Sequence, residues 1–191
     1  MNSDEALMLD FQRGSRAAFE ELYARYQGPL YGFFRRRLDS SERAEDLAQE
    51  TFLVVIRGAS RYEPRAQVRT YLYAIALKLL ANERRKPRDI QADEVAASPE
   101  VGPAQETGLW VQEALERLDP SQREILMLRE YEELTYSEIS KLLRLPLNTV
   151  RSRLFRARMA LKEKLETSHA LSKQPLLAAV EQPVNPAEEE A

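Results

Sequence analysis

The chain has no cysteine, one histidine, one tryptophan and only six glycines among 191 residues. Each shortage removes a class of function. Without cysteine there is no disulfide framework, no thiolate metal site and no thiol nucleophile. His169 is the only imidazole and stands near a polar tail, the setting of a surface residue rather than of a general base or a ligand. So little glycine leaves no glycine-rich phosphate loop. No run approaches the roughly 20 apolar residues of a membrane span. The segment Met1 to Glu5 lacks the basic-then-apolar order of a secretory signal. The expectation is a cytoplasmic protein that is not an enzyme, holds no cofactor or metal and inserts in no membrane of its own.

Hydrophobic residues make up 43% of the chain and charged residues 31%, enough core for one or two small domains and enough charge for a polar surface. The net charge of -3 conceals a segregation. Residues 1–88 carry +4, 89–108 carry -5, 109–143 carry -4, 144–164 carry +6 and 165–191 carry -4. Two basic islands between acidic stretches point to two surfaces that face a polyanion.

Strand-like alternation is nearly absent and the 3.6-residue period dominates, so the fold class is all-α: two small helical domains joined by a flexible acidic linker. Helices are expected from about Ser3 to Arg13, stopping at Gly14, and from Ser15 to Gly28 and Pro29, where the helix should kink or break before resuming through Leu38. A third helix starts after Ser40 and Ser41, with Asp39 or a serine as cap, and carries Ala44, Leu47, Ala48, Phe52, Val55 and Ile56 inward. After a loop from Gly58 to Gln67, a fourth runs over 68–85 on the stripe Val68, Leu72, Ile75, Ala76 and Leu79. Proline, glycine and acids without apolar period make 87–108 a linker. Helices return at about 109–118, 121–132, 136–143 and 147–166. Residues 167–191 read as a disordered tail, with Leu176 to Val180 able to form a transient helix. Trp110 belongs with Val111, Ala114 and Leu115 as a packing residue.

The segment from Leu134 to Arg158 carries the most information. It reads as two helices joined by a short turn, the second loaded with arginine, which is the layout of a DNA-reading helix-turn-helix. Thr135 or Ser137 can cap the first helix and Pro146 suits the first turn of the second. At 3.6 residues per turn, Val150, Leu154, Ala157 and Leu161 form one apolar stripe. Ser152, Phe155 and Arg156 point away from it, and Arg151, Arg153 and Arg158 flank it, where a major groove would lie. A basic amphipathic helix also serves as a plain solvated face, and periodicity alone does not separate the two.

The residues LDPSQREI (118–125), LRE (128–130), LTYSEI (134–139) and TVRSRLFRAR (149–158) form one signature. AFEELYARY (18–26), AEDLAQETF (44–52) and YLYAIA (71–76) form another. Together, in this order and spacing, the chain resembles a sigma-70 family factor of the extracytoplasmic-function type. The resemblance covers 1–86 as region 2 and 109–166 as region 4. It implies an alternative sigma factor that binds core RNA polymerase through its clamp coiled coil and flap and directs it to promoter DNA. It also implies control by an anti-sigma factor, free or membrane-anchored. Region 4 would read the -35 duplex through Arg151, Ser152, Phe155 and Arg156, with Tyr136, Asn148, Thr149, Arg153 and Arg158 beside them. Region 2 would recognise and melt the -10 element through Arg61, Tyr62, Arg65, Arg69, Tyr71, Lys78 and Asn82, with Arg84 and Arg85 as a phosphate clamp. Asp46, Gln49, Glu50 and Phe52 match the helix that docks the polymerase.

Four positions depart from the family pattern. Tyr71 replaces the usual tryptophan, and Lys78 the asparagine that contacts the extruded base. An ammonium donates but cannot accept, which bears on base preference. Arg144 and Asn148 stand where glycine is usual, and Arg144 falls in the turn. For Arg153, a salt bridge to Glu132 or Glu138 competes with a DNA contact. Two other functions use the same residues: a decoy that sequesters an anti-sigma factor, and a stand-alone helix-turn-helix regulator that dimerises through 1–86. The promoter sequence, the inducing signal, the identity of the anti-sigma factor and the role of the tail do not follow from the sequence.

Overall fold

The computed structural model describes residues 2–64, 67–86 and 111–172, with the backbone alone for 167–172. Arg65, Trp110, the linker and the Leu176 to Val180 stretch lie outside these residues. Among the described residues all regular structure is helical. In chain order it comprises α1 (Asp4–Gln12), α2 (Arg16–Arg35), α3 (Ser41–Gly58), the 3-10 turn η1 (Ala59–Arg61) and α4 (Val68–Arg85). There follow α5, whose described residues are 111–116, then α6 (Pro120–Glu130), α7 (Tyr136–Leu143) and α8 (Leu147–Ser172).

Contacts group the chain into two compact units, each built from two stretches. One joins Met1–Ala96 with Met127–Val150, the other Ala97–Leu126 with Arg151–Ala191. The division expected along the chain, at 86 and 109, is of a different kind, because α6 and α8 contribute to both units.

In the first unit, serines set the helix starts. The side chains of Ser3, Ser15 and Ser40 accept from the backbone N–H groups of Ala6, Ala18 and Arg43 at 3.2, 3.3 and 3.1 Å, each satisfying a donor that the first helical turn leaves open. Gly14 ends α1 at φ 102, a region that a side chain disfavours. Leu7 and Met8, Leu30, Phe33 and Phe34, Leu47 and Phe52, and Val68, Leu72 and Leu80 bring α1 to α4 around one core. Phe33 and Phe34 meet edge to face, centroids 5.1 Å apart.

Three expectations for these helices are corrected. α2 does not break at Pro29: it is one helix to Arg35, ending short of Leu38. Proline removes one hydrogen bond, a cost of about 3 kcal/mol, but Leu22, Tyr26, Leu30 and Phe33 on both sides of it are buried and hold the helix together. Ile56 is 45% exposed rather than in the α3 stripe. On α4 the buried set is Val68, Leu72, Tyr73, Ala76 and Leu80, with Ile75 and Leu79 only half-buried.

α7 begins with a reciprocal cap. Thr135 Oγ1 accepts from the Glu138 N–H at 3.2 Å, and the Glu138 carboxylate accepts from the Thr135 N–H at 2.7 Å. It ends at Arg144, in the left-handed region at φ 53, ψ 44. There the Leu145 N–H reaches back to the Ser140 carbonyl at 3.0 Å, a closure in which glycine is the usual residue. Ile139 is buried in α7, and Leu142 and Leu143 are half-buried. On α8, Val150, Leu154 and Ala157 are buried and Leu161 half-buried. This helix continues to Ser172, six residues beyond its expected end.

Candidate nucleic-acid interface

An open cleft of about 800 Å³ lies where the end of α3, the turn η1 and one flank of α4 meet. α1 positions its loop. Gln12 Nε2 donates to the carbonyls of Ser60 and Tyr62 at 3.3 and 3.2 Å, and Glu5 accepts from the N–H of Val68 at 3.2 Å, supplying the α4 cap that Gln67 does not. Sequence separations of 48 to 63 residues made these bonds invisible to local pattern.

The cleft brings together Arg61, Tyr62, Tyr71, Lys78 and Asn82, five of the residues expected to meet single-stranded DNA. It adds Arg57 and Glu63, which sequence reasoning missed. Arg57 lies one turn of α3 ahead of Arg61, and that spacing could have revealed it. Val54, Ile75 and Leu79 supply apolar wall, which is why the last two leave the helical core. The rings of Tyr62 and Tyr71 stand 5.5 Å apart and tilted by 57°. A Cβ on Gly58 would lie 3.1 Å from Tyr71 Oη, so a small residue lets the ring settle there. Burial raises the pKa of both phenols, keeping them neutral donors. Tyr62 Oη is buried without a hydrogen-bond partner, and an unmet buried hydroxyl costs about 1–3 kcal/mol. A ligand edge entering the cleft could supply the missing bond.

Arg69, Arg84 and Arg85 of that set do not converge on the cleft. Arg84 and Arg85 are exposed at the α4 C-terminus, where the helix dipole favours cations. Arg69 is half-buried and donates to the backbone carbonyl of Glu132.

On α8, Asn148, Arg151, Ser152, Phe155, Arg156 and Arg158 are exposed, while Thr149 and Arg153 are half-buried. Phe155 is 65% exposed, unusual for a phenylalanine that only packs. Met159, one turn on and 50% exposed, was missed, although its i+4 spacing from Phe155 marks it as the same face. Arg156 Nε donates to the Ser152 carbonyl at 3.3 Å, which lays the guanidinium along its own helix. Tyr136 is half-buried, with the Arg129 guanidinium 5.4 Å from its ring. The acids considered as partners of Arg153 are engaged: Glu132 by Arg36 and Arg37, and Glu138 by Thr135.

The docking residues separate. Phe52 is 4% exposed, inside the α3 stripe as expected: its ring lies 4.7 Å from that of Tyr23 and lines a groove of about 620 Å³ between α2 and α3. Gln49 lines that groove, with Glu42, Glu45, Tyr31 and Pro29. Asp46 and Glu50 are exposed outside it, and Asp46 pairs with Arg43 at 3.2 Å. Leu53 and Ile56, both exposed, continue the Gln49 side of α3 as an apolar strip that the sequence had placed partly in the core.

Among the described residues no helix is long and apolar enough to cross a membrane. The family description Sigma-70 region 2 matches residues 22–89, and Sigma-70, region 4 matches residues 108–161. The chain is 32% identical to the RNA polymerase sigma-H factor of Pseudomonas aeruginosa, over 85% of this chain and 94% of that one. It is 31% identical to the ECF RNA polymerase sigma-E factor of Escherichia coli, over 86% and 95%. Among solved structures it is similar to CnrH in complex with the cytosolic domain of CnrY, with a TM-score of 0.70 at 23% identity, covering 87% of this chain and 99% of that one. It is also similar to RpoE of Bartonella quintana in complex with the anti-sigma factor NepR, with a TM-score of 0.61 at 23% identity, over 78% and 96%.

Proposed function

We propose a division of labour for the surfaces of a chain that belongs to the sigma-70 family of RNA polymerase sigma factors, in its extracytoplasmic-function branch. As a sigma factor it binds core RNA polymerase and directs initiation at promoters, without covalent catalysis of its own. The α3–η1–α4 cleft takes a base of the -10 element that has left its stack. The observation that carries this reading is the partnerless buried hydroxyl of Tyr62 beside the ring of Tyr71, in a cleft whose described lining includes Arg57, Arg61, Lys78 and Glu63. Tyrosine rings offer stacking surface, Arg57, Arg61 and Lys78 offer donors and phosphate contacts, and Asn82 both donates and accepts. The exposed face of α8, from Asn148 to Arg158, reads the -35 duplex, with Tyr136 and Thr149 on the backbone. Arg84 and Arg85 clamp phosphates where the strands separate.

The α2–α3 groove and the Gln49, Leu53 and Ile56 strip dock the polymerase clamp, with Asp46 and Glu50 as its acidic rim. Residues 1–86 and 109–166 act as the two recognition regions, and 87–108 as the tether between them. The protein works in the cytoplasm, and an anti-sigma factor that covers these surfaces controls it.

Run-off transcription with purified core polymerase on a pool of genomic promoters tests the whole reading. Transcripts from a distinct promoter subset are expected. Binding to a duplex operator without polymerase would favour a stand-alone regulator, and silence on every template with tight binding of an anti-sigma factor would favour a decoy.

A further inference from the structure

An open groove of about 510 Å³ is lined by α8 from Phe155 to Glu166, with Gln122 of α6 beside it. Phe155 and Met159, 65% and 50% exposed, give it an apolar surface, and Ala160 adds to that surface. Exposed apolar side chains grouped within a polar rim mark a surface that something covers. Toward the end of α8, Glu163 and Glu166 place carboxylates on the groove, and Lys162 pairs with Glu166 at 3.7 Å. Carboxylates repel a phosphate backbone, so this stretch does not simply continue the DNA-reading face. The groove and that face nevertheless share Phe155 and Arg156.

The sequence after α8 fits this groove in chemistry, order and reach. Residues 173–191 lie outside the described residues. They carry one base, Lys173, four acids, Glu181 and Glu188 to Glu190, and one apolar run, Leu176 to Val180. Pro175 precedes that run, and proline has no N–H with which to carry a helix on. Counted back from Ser172, the last residue of α8, the groove extends from about 9 Å to about 26 Å at the rise of a helix. Leu176 to Val180 can reach about 13 to 26 Å from Ser172 as extended chain. A chain that returns along α8 passes Lys173 by Glu166 and Glu163 and lays the apolar run on Met159 and Phe155. Its acids then come to Arg156 and Arg151, about 24 and 32 Å back along the helix. In that register each charge meets its opposite, and apolar residues meet apolar ones.

We propose that the occupant of this groove is residues 176–180 of the same chain, and that the docked tail covers Phe155 and Arg156 against the -35 duplex. The tail is then a competitor of the promoter contained in the chain itself, with its glutamates in place of phosphates on the basic part of α8. The docking stands on the groove alone, whereas the competition rests on the sigma-factor reading above.

The absence of cysteine from the sequence allows a direct test. Met159→Cys, at an exposed position, and Ala178→Cys are introduced together in the full chain and oxidised mildly at low protein concentration. The same pair with Leu176→Ser and Leu177→Ser gives the rate for an undocked tether of equal length. The intramolecular disulfide should form at least about fivefold faster with the leucines present, because docking raises the local concentration above that of the tether alone. Equal rates would overturn the docking. So would disulfide-linked dimers that grow with protein concentration, which would assign the groove to a second copy. Leu176→Ser with Leu177→Ser in the otherwise unchanged chain should raise run-off yield about threefold at subsaturating promoter, because a larger fraction of α8 is free for DNA. That gain should vanish on a promoter whose -35 element is scrambled. An unchanged yield, or an equal gain on both promoters, would overturn the competition. If the parent chain itself gives no transcript, the sigma-factor reading fails, while the cross-linking rate still decides whether the tail docks.

Discussion

Arg43 and Glu83 form the tightest exchange between α3 and α4. Arg43 Nε and Nη2 donate to the two Glu83 oxygens, each at 2.7 Å, and Lys86 stands 3.0 Å from the same carboxylate. The Arg43 hydrogen bonds hold the Glu83 carboxyl at about 2, below its ordinary 4.5. A carboxyl lowered by folding stabilises the fold above its ordinary value, and that contribution is lost as pH falls from about 4.5 to about 2. Glu83→Gln should therefore lower stability by about 1–3 kcal/mol at neutral pH. Denaturant titrations should show the gap between the variant and the parent narrowing toward pH ~3. Arg144 presents the opposite case, a residue that costs energy where it stands. Its φ of 53 places a Cβ in the left-handed region, so Arg144→Gly should raise stability by about 0.5–1 kcal/mol, read as an upward shift of the thermal midpoint.

At the scale of elements, local rules were legible wherever a local cause sets the structure. Serine caps, the α4 boundaries and the turn from α7 into α8 all follow from neighbouring residues. The failures share one physical reason, packing against chain far away in sequence. Pro29 stays inside α2 because buried residues on both sides outweigh one lost hydrogen bond. Ile75 and Leu79 leave the α4 core because a cleft, rather than a helix, covers them. Tyr62, Tyr71, Arg61 and Lys78 of that cleft were legible from the sequence, Arg57 was legible from its spacing but missed, and the diversion of Arg69 to Glu132 was not legible. No local pattern shows that a backbone carbonyl 63 residues away will take an arginine. The exposed face of α8 was legible because burial of Val150, Leu154 and Ala157 fixes the opposite side. Arg151→Glu combined with Arg156→Glu should abolish promoter selection through the -35 element while leaving binding to core polymerase unchanged. Gel-shift and polymerase pull-down assays on the same variant check this, and loss of polymerase binding would reassign the face.

Across the whole molecule, the sequence is acidic overall, and its cations are concentrated in the stretches assigned to DNA. This segregation separates two kinds of contact that respond differently to salt and to sequence. Contacts to phosphate release counterions and carry no base information, whereas contacts to a base edge discriminate. Six phosphate contacts would give a log–log salt slope of roughly -5 for promoter binding by the polymerase complex. Replacing Arg84 or Arg85 by alanine should make that slope shallower by about 1 and weaken all promoters alike. Lys78→Asn should do the reverse. It restores a side chain that both donates and accepts at a cleft whose other groups are mostly donors, so the preferred base at the extruded position should change. The distinguishing measurement is transcription from a promoter library randomised in the -10 element, repeated across salt. A changed base profile for Lys78→Asn with a salt slope near the parent's would place Lys78 on a base edge. An unchanged profile with a shallower slope would make Lys78 another phosphate contact and leave the reading of the base to Tyr62 and Asn82.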